Sequence, residues 1–307
     1  MPTVEHLPTV EQFIPGLQDF QHVTVSVSDV EKSLAFYRDL LGFPVLGRLY
    51  YTNEIGLVID FLDIGNNAIL EIFSFTNAPT KPSGFLYDDL QLGMRHMAFK
   101  VPDVDAVTQR LKGAGVEFTL DPLDAVGGVR IAFFKDPDGT LVEITQGDLQ
   151  YHVVGQERIP VSIPASGAPG DSEFVFEHVA LTVSDMGKAL AFYQGVLGLP
   201  LLGQLEFNDE RGFEIAYLQF GNANLELFAF GVPTIYHTWD PDETVLGLKH
   251  IGMLVDDVDA VCRELQAQGV RIIYPPNDAH GGVKTCFFAD PDGNALELID
   301  GTCNYDD

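Results

Sequence analysis

The feature that most narrows what this chain can become is that it repeats itself. QHVTVSVSDVEKSLAFYRDLLGF, from Gln21, returns as EHVALTVSDMGKALAFYQGVLGL, from Glu177, and FFKDPDGTLVEI returns as FFADPDGNALELI. His22 thereby pairs with His178, Glu71 with Glu226, His96 with His250 and Glu143 with Glu297, at nearly constant separation. Such self-similarity means a duplicated domain, and 307 residues are enough for two cores. A fainter repeat lies inside each half, because RHMAFKVPDVDAVTQRLKGAGV and KHIGMLVDDVDAVCRELQAQGV keep the same order of strand, aspartate and helix. Four copies of one module of about 60 to 75 residues follow.

Each module opens on residues that alternate with the period of a strand. Asp29, Asp103, Asp185 and Asp257 then stand where a side chain caps the first free N–H groups of a helix. Behind Asp29, Val30, Leu34, Tyr37 and Leu41 share one helical face, and Gly42 is the stop. Asp136-Pro137-Asp138-Gly139 and Asp290-Pro291-Asp292-Gly293 are turn sequences in which proline fixes φ and glycine accepts a positive one. With three more strands per module the expected unit is βαβββ, and the expected fold class is α+β. Residues 1–17 read as an N-terminal arm, 18–148 as the first domain of two modules, 149–173 as a Pro-, Gly- and Ser-bearing linker and 174–307 as the second domain.

Composition limits the partners. Seventeen Lys and Arg against 45 Asp and Glu give a net charge of -28, a field that repels nucleic acid and anionic membranes and attracts divalent cations. A small-molecule substrate is the remaining expectation. Cys262, Cys286 and Cys303 are no disulfide framework. Neither a signal peptide nor a long apolar span is evident, so a cytoplasmic location is expected.

Chemistry concentrates on two residue types. In the opening strand His22, Thr24 and Ser26 point one way and Val23, Val25 and Val27 the other, so the histidine faces away from the helix-covered core. A lone strand histidine is usually structural, but His22, His96, His178 and His250 hold one register in four modules. Glu71, Glu143, Glu226 and Glu297 sit inside apolar strands, where a carboxylate costs several kcal/mol unless it is paired or bound to a cation. Two imidazoles and two carboxylates make a site for Zn²⁺, Ni²⁺, Mn²⁺, Fe²⁺ or Co²⁺ with positions left open for water or substrate. Phe73, Phe75, Phe228 and Phe230, beside the glutamates, suggest a partly apolar cleft.

Together, the βαβββ repeat, the strand histidine, the FYxxxLG helix end, the E-[IL]-F strand and FFxDPDGxxxE resemble the vicinal oxygen chelate superfamily, the glyoxalase, bleomycin resistance and extradiol dioxygenase type. The likeness covers about residues 18–148 and 174–301. It implies two domains in tandem, each a curved mixed sheet forming a cleft with helices outside. It also implies the glyoxalase I ligand set at His22, Glu71, His96 and Glu143, and again at His178, Glu226, His250 and Glu297. The implied reaction is a metal-dependent isomerase or lyase step on a small, vicinally oxygenated substrate through an enediolate. Glu143 and Glu297, or alternatively Glu71 and Glu226, would move the proton. An Fe²⁺ ring-cleaving dioxygenase and a sequestering resistance protein are the alternatives. Arg48, Arg130 and Lys284 are candidates for holding a glutathione carboxylate.

Two finer expectations concern assembly. Modules can pair locally, one with two and three with four, or in exchanged order, one with four and two with three. Local pairing closes shorter loops and is the expectation. His280, His237 and Trp239, which lack counterparts in the first half, point to the C-terminal half as the main seat of activity.

Overall fold

The computed structural model describes residues 17–155 and 172–306; the arm ahead of Leu17 and linker residues 156–171 lie outside the described residues. The first module is β1 (Leu17–Ser26), α1 (Val30–Leu34) widening into a π-helical turn over Ala35–Leu40, then β2 (Val45–Tyr50), β3 (Leu57–Asp63) and β4 (Ile69–Phe75). The second is β5 (Gly93–Lys100), α2 (Val104–Gly113), β6 (Phe118–Asp124), β7 (Arg130–Lys135) and β8 (Leu141–Gln146), followed by the short β9 (Val153–Val154). The third is β10 (Val175–Thr182), α3 (Met186–Leu190) with its π-helical turn Ala191–Val196, β11 (Leu201–Glu206), β12 (Glu214–Phe220) and β13 (Ala223–Ala229). The fourth is β14 (Gly247–Val255), α4 (Val258–Ala267), β15 (Ile272–Asp278), β16 (Lys284–Ala289) and β17 (Ala295–Asp300).

Every module is therefore βαβββ, and all four aspartate caps form, each side chain accepting from the backbone N–H three residues on. Val23, Val25 and Val27 are buried in a core that both sheets share, which also holds Tyr37 and Leu41 from the helical face. Gly42 ends its helix at φ +83, a value that only glycine adopts without strain.

Local pairing is overturned. One sheet has the order β15-β16-β17-β14-β1-β4-β3-β2 and the other β6-β7-β8-β5-β10-β13-β12-β11-β9. Modules one and four build the first sheet; modules two and three build the second. At each centre two opening strands run antiparallel, β1 with β14 and β5 with β10, and each is flanked by the parallel glutamate strand of its own module. Loop closure does not decide the pairing, because its cost grows only with the logarithm of length. Bringing β14 rather than β5 to β1 adds about 1 kcal/mol.

What outweighs that is the junction between sheets. The Tyr37 hydroxyl, fully buried, donates to Asp136 Oδ2 at 2.8 Å, and Asp138 accepts from the Ser28 N–H. Tyr193 and Asp290, and Ser184 and Asp292, repeat the arrangement. Burial raises the Asp136 carboxyl to about 6 against the bonds it accepts. These latches fix the helix of one module against the turn of the next, so consecutive modules stand back to back and their concave faces look outward to different partners.

Candidate metal centres

The exchanged order decides which ligands meet. His96, Glu143, His178 and Glu226 form one buried cluster, and His22, His250 and Glu297 form another, with Glu71 standing slightly back. The expected groupings of His22 and Glu71 with His96 and Glu143, and of His178 and Glu226 with His250 and Glu297, are corrected accordingly. All eight predicted residues do face the two concave sites, four to each.

In the first cluster the two Nε2 atoms are 3.2 Å apart. His96 Nε2 lies 3.1 Å from Glu143 and 3.4 Å from Glu226; His178 Nε2 lies 3.1 and 3.2 Å from the same carboxylates. Ligands about 2.1 Å from an ion are about 3.0 Å apart along an octahedral edge and about 3.4 Å along a tetrahedral one. The donor set therefore fits a first-row divalent cation. Glu226 Oε2 is buried without a hydrogen-bond partner, which is the condition of an atom reserved for a ligand bond. Behind this shell, Glu177 reaches His178 Nδ1 at 3.8 Å, and Gln21 bonds His22 Nδ1, leaving Nε2 of each ring to the cluster.

The second cluster is tighter at three corners and looser at the fourth. His22 and His250 Nε2 are 3.1 Å apart and lie 3.1 and 3.0 Å from Glu297, but Glu71 is 3.6 and 4.0 Å from them. Thr24 is the reason: its hydroxyl donates to Glu71 at 2.9 Å and sits 3.0 Å from His250 Nε2. The equivalent position beside Glu226 is Ala180, and there the hydroxyl of Tyr217, whose counterpart is Phe61, bonds Glu226 Oε1 instead. Thr24, Ala180, Tyr217 and Phe61 were not singled out as site residues, although each is a difference between otherwise matching repeats.

Electrostatics agree with pairing inside each cluster. Burial opposes charge on His96, but Glu143 and Glu226 outweigh it and raise the imidazole; His178 is raised well above its ordinary value against the same burial, chiefly by Glu226 and Glu143. His22 is raised against burial by Glu71 and Glu297. Burial pushes Glu297 up, yet His22 and His250 pull it down to about 2, and His178 and His96 lower Glu226 likewise. The signs give a stability profile. Stability from the raised histidines is complete below 6.5 and lost as pH climbs through their folded values. That from Glu226 and Glu297 is complete above 4.5 and lost as pH falls through theirs. A metal needs neutral imidazoles, so it competes with these protons. The gain in melting temperature from added Zn²⁺ or Ni²⁺ should grow from about pH 5 to about pH 8. A pH-independent gain in thermal unfolding scans would place the metal elsewhere.

A cavity of about 450 Å³ opens onto the first cluster, lined by its four residues and by Phe133, Leu205, Phe213, Ile215, Tyr217 and Phe228 among others. Of the predicted phenylalanines, Phe228 lines it, Phe230 stacks on Phe213, Phe73 meets the His250 ring of the second cluster, and Phe75 packs in the same hydrophobic cluster as Phe73. Arg48 is paired with Asp60 at 2.7 Å, Arg130 with Asp105 and Asp124, and Lys284 with Asp259, and none of the three lines this cavity. None of His280, His237 and Trp239 lines this cavity. His280 is bonded to Asp306 at the exposed rim, and His237 and Trp239 line a different cavity. No helix among the described residues is long and apolar enough to cross a membrane.

The sequence model of the family described as Glyoxalase/Bleomycin resistance protein/Dioxygenase superfamily matches residues 19–144 and 175–298. A glyoxalase I of Saccharomyces cerevisiae is 26% identical over 91% of this chain and 91% of its own. A lactoylglutathione lyase of Arabidopsis thaliana is 26% identical over 92% of this chain and 91% of its own. The crystal structure of glyoxalase I from Zea mays superposes with a TM-score of 0.68 at 23% identity, covering 92% of each chain.

Proposed function

Because the chain belongs to the Glyoxalase/Bleomycin resistance protein/Dioxygenase superfamily, we propose that it is a divalent-metal-dependent lyase or isomerase of glyoxalase type, working at His96, Glu143, His178 and Glu226. The observation that carries this reading is a four-donor cluster at metal-ligand spacing on the floor of an apolar cavity. A bound divalent cation would supply Lewis-acid polarisation of a substrate oxygen. His96, His178 and Glu226 would hold it. Glu226 is fixed from behind by the Tyr217 hydroxyl, whereas Glu143 meets only the two imidazoles among the described residues. Glu143 is therefore the carboxylate free to leave the cluster, take a proton from the carbon beside a carbonyl and return it to the neighbouring carbon. The apolar walls exclude water from that transfer. His22, Glu71, His250 and Glu297 would form a second metal site in which Thr24 competes for Glu71.

Adducts of a thiol with a 2-oxoaldehyde are the first substrates to try, given the lyase names of the relatives. The protein should be stripped, reloaded separately with Zn²⁺, Ni²⁺, Mn²⁺, Fe²⁺ and Co²⁺, and assayed for isomerisation of the glutathione–methylglyoxal adduct and for oxygen uptake with catechols. Metal-dependent isomerisation without oxygen uptake is the expected result. Oxygen uptake confined to the iron form would make it a dioxygenase, and metal-independent binding without turnover would make it a sequestering protein.

A further inference from the structure

A second cavity, of about 630 Å³, lies where the two halves cross. The segments 77–92 and 231–246 run from one sheet towards the other and pair there. The Lys81 N–H donates to the Thr244 carbonyl and the Leu246 N–H to that of Lys81, while the Ile235 N–H donates to the Leu90 carbonyl and the Leu92 N–H to that of Ile235. These two segments and the first residues of β5 and β14 enclose the space.

Its lining is unusual for this chain. With 17 basic residues against 45 acidic ones, cations are scarce, yet Lys81, Arg95 and Lys249 all line one cavity together with His237. Arg95 and Lys249 are 2% and 4% exposed, and neither forms an ion pair with a carboxylate among the described residues. Arg95 donates to the Leu86 carbonyl at 2.8 Å and weakly to Gln91 at 3.4 Å; its Nε has no partner. Lys249 donates only to backbone carbonyls, of Asp242, Asp240 and Val245. The indole N–H of Trp239, also in the lining, has no partner either. The cavity's own carboxylates are engaged, Asp138 by the Ser28 N–H and Asp240 by the Asp242 N–H, and Lys81 is taken by Asp242.

A buried cation that no carboxylate contacts directly is costly, and so is an orphaned N–H. Both deficits have the same remedy, an oxyanion brought in from outside. We propose that this central cavity is a ligand site, separate from both metal clusters, for a small molecule bearing a carboxylate or phosphate group, which Arg95 and Lys249 hold and Trp239 contacts. Because Arg95, Tyr87 and Leu141 also wall the cavity at His96 and Glu143, an occupant here touches the partition between the two spaces.

Trp239 is the only tryptophan of the chain, so its emission reports on this cavity alone. The metal-loaded full chain should be titrated with inorganic phosphate and, separately, with acetate, at ionic strength held constant with sodium chloride. A saturable change in emission with at least one of the two is expected, and the tighter of them identifies the group. Arg95→Gln and Lys249→Gln should each raise the half-saturating concentration about tenfold or more, and Lys249→Arg should keep it near the original. No change with either anion, or equal responses in both Gln variants, overturns the site. If a Gln variant does not fold, soaking crystals of the unaltered protein in selenate decides: an anomalous selenium peak against Arg95 or Lys249 supports the site, and an empty cavity overturns it.

Discussion

Glu143→Gln should lower turnover by about 10² to 10⁴, the range a positioned general base contributes, while Glu297→Gln leaves most of it. The glutamine keeps the size of the side chain and an oxygen able to reach a metal, but it accepts no proton. Metal content should therefore change little, and the loss should fall on the chemical step. Both glutamates hold the same place in their modules and each lies about 3 Å from two imidazoles. What separates them is the surroundings: a cavity lined by Phe133, Phe213, Ile215 and Phe228 opens onto Glu143, whose cluster closes with all four donors. The Glu297 cluster has a Thr24 hydroxyl between Glu71 and His250. Loss of turnover in Glu297→Gln with Glu143→Gln intact would move the active centre to the other sheet.

The eight clustered residues were legible because burying ionisable groups in apolar strands is expensive enough to need an explanation, and the fourfold repeat supplied one. Which four of them meet was not legible. Tyr37 reads locally as a core position on a helical face, and Asp136 reads locally as a turn residue. Both readings hold, yet the bond between them, 99 residues apart in sequence, sets consecutive modules back to back. Periodicity carries no information about such a contact. The same limit applies to Thr24 and Tyr217, ordinary alternating strand residues until the sheet places their hydroxyls on Glu71 and Glu226. Arg48, Arg130 and Lys284, the candidates for a glutathione carboxylate, each stand in an ion pair that their sequence positions do not announce: surface aspartates hold Arg130 and Lys284, and a buried Asp60 holds Arg48.

A fragment of residues 1–150 should bind metal only as a dimer. It keeps modules one and two and, with them, the bond from Tyr37 to Asp136 and that from the Ser28 N–H to Asp138, so the two concave faces still look away from each other. It loses β14 beside β1 and β10 beside β5, which strips the central antiparallel partner from both sheets. Two strand edges with buried valine, methionine and phenylalanine faces cannot stay open in water. A second copy offers the missing strands, since β5 is the repeat of β14 and β1 the repeat of β10, and each half by itself matches the family's sequence model. Each site would then hold His22 and Glu71 from one copy and His96 and Glu143 from the other. Light scattering should give twice the fragment mass, with two divalent ions per dimer. Mixing His22→Ala fragments with His96→Ala fragments should restore one intact site in each mixed dimer, which neither variant has alone. A monomeric fragment that binds metal through all four residues would show that modules one and two can face each other after all.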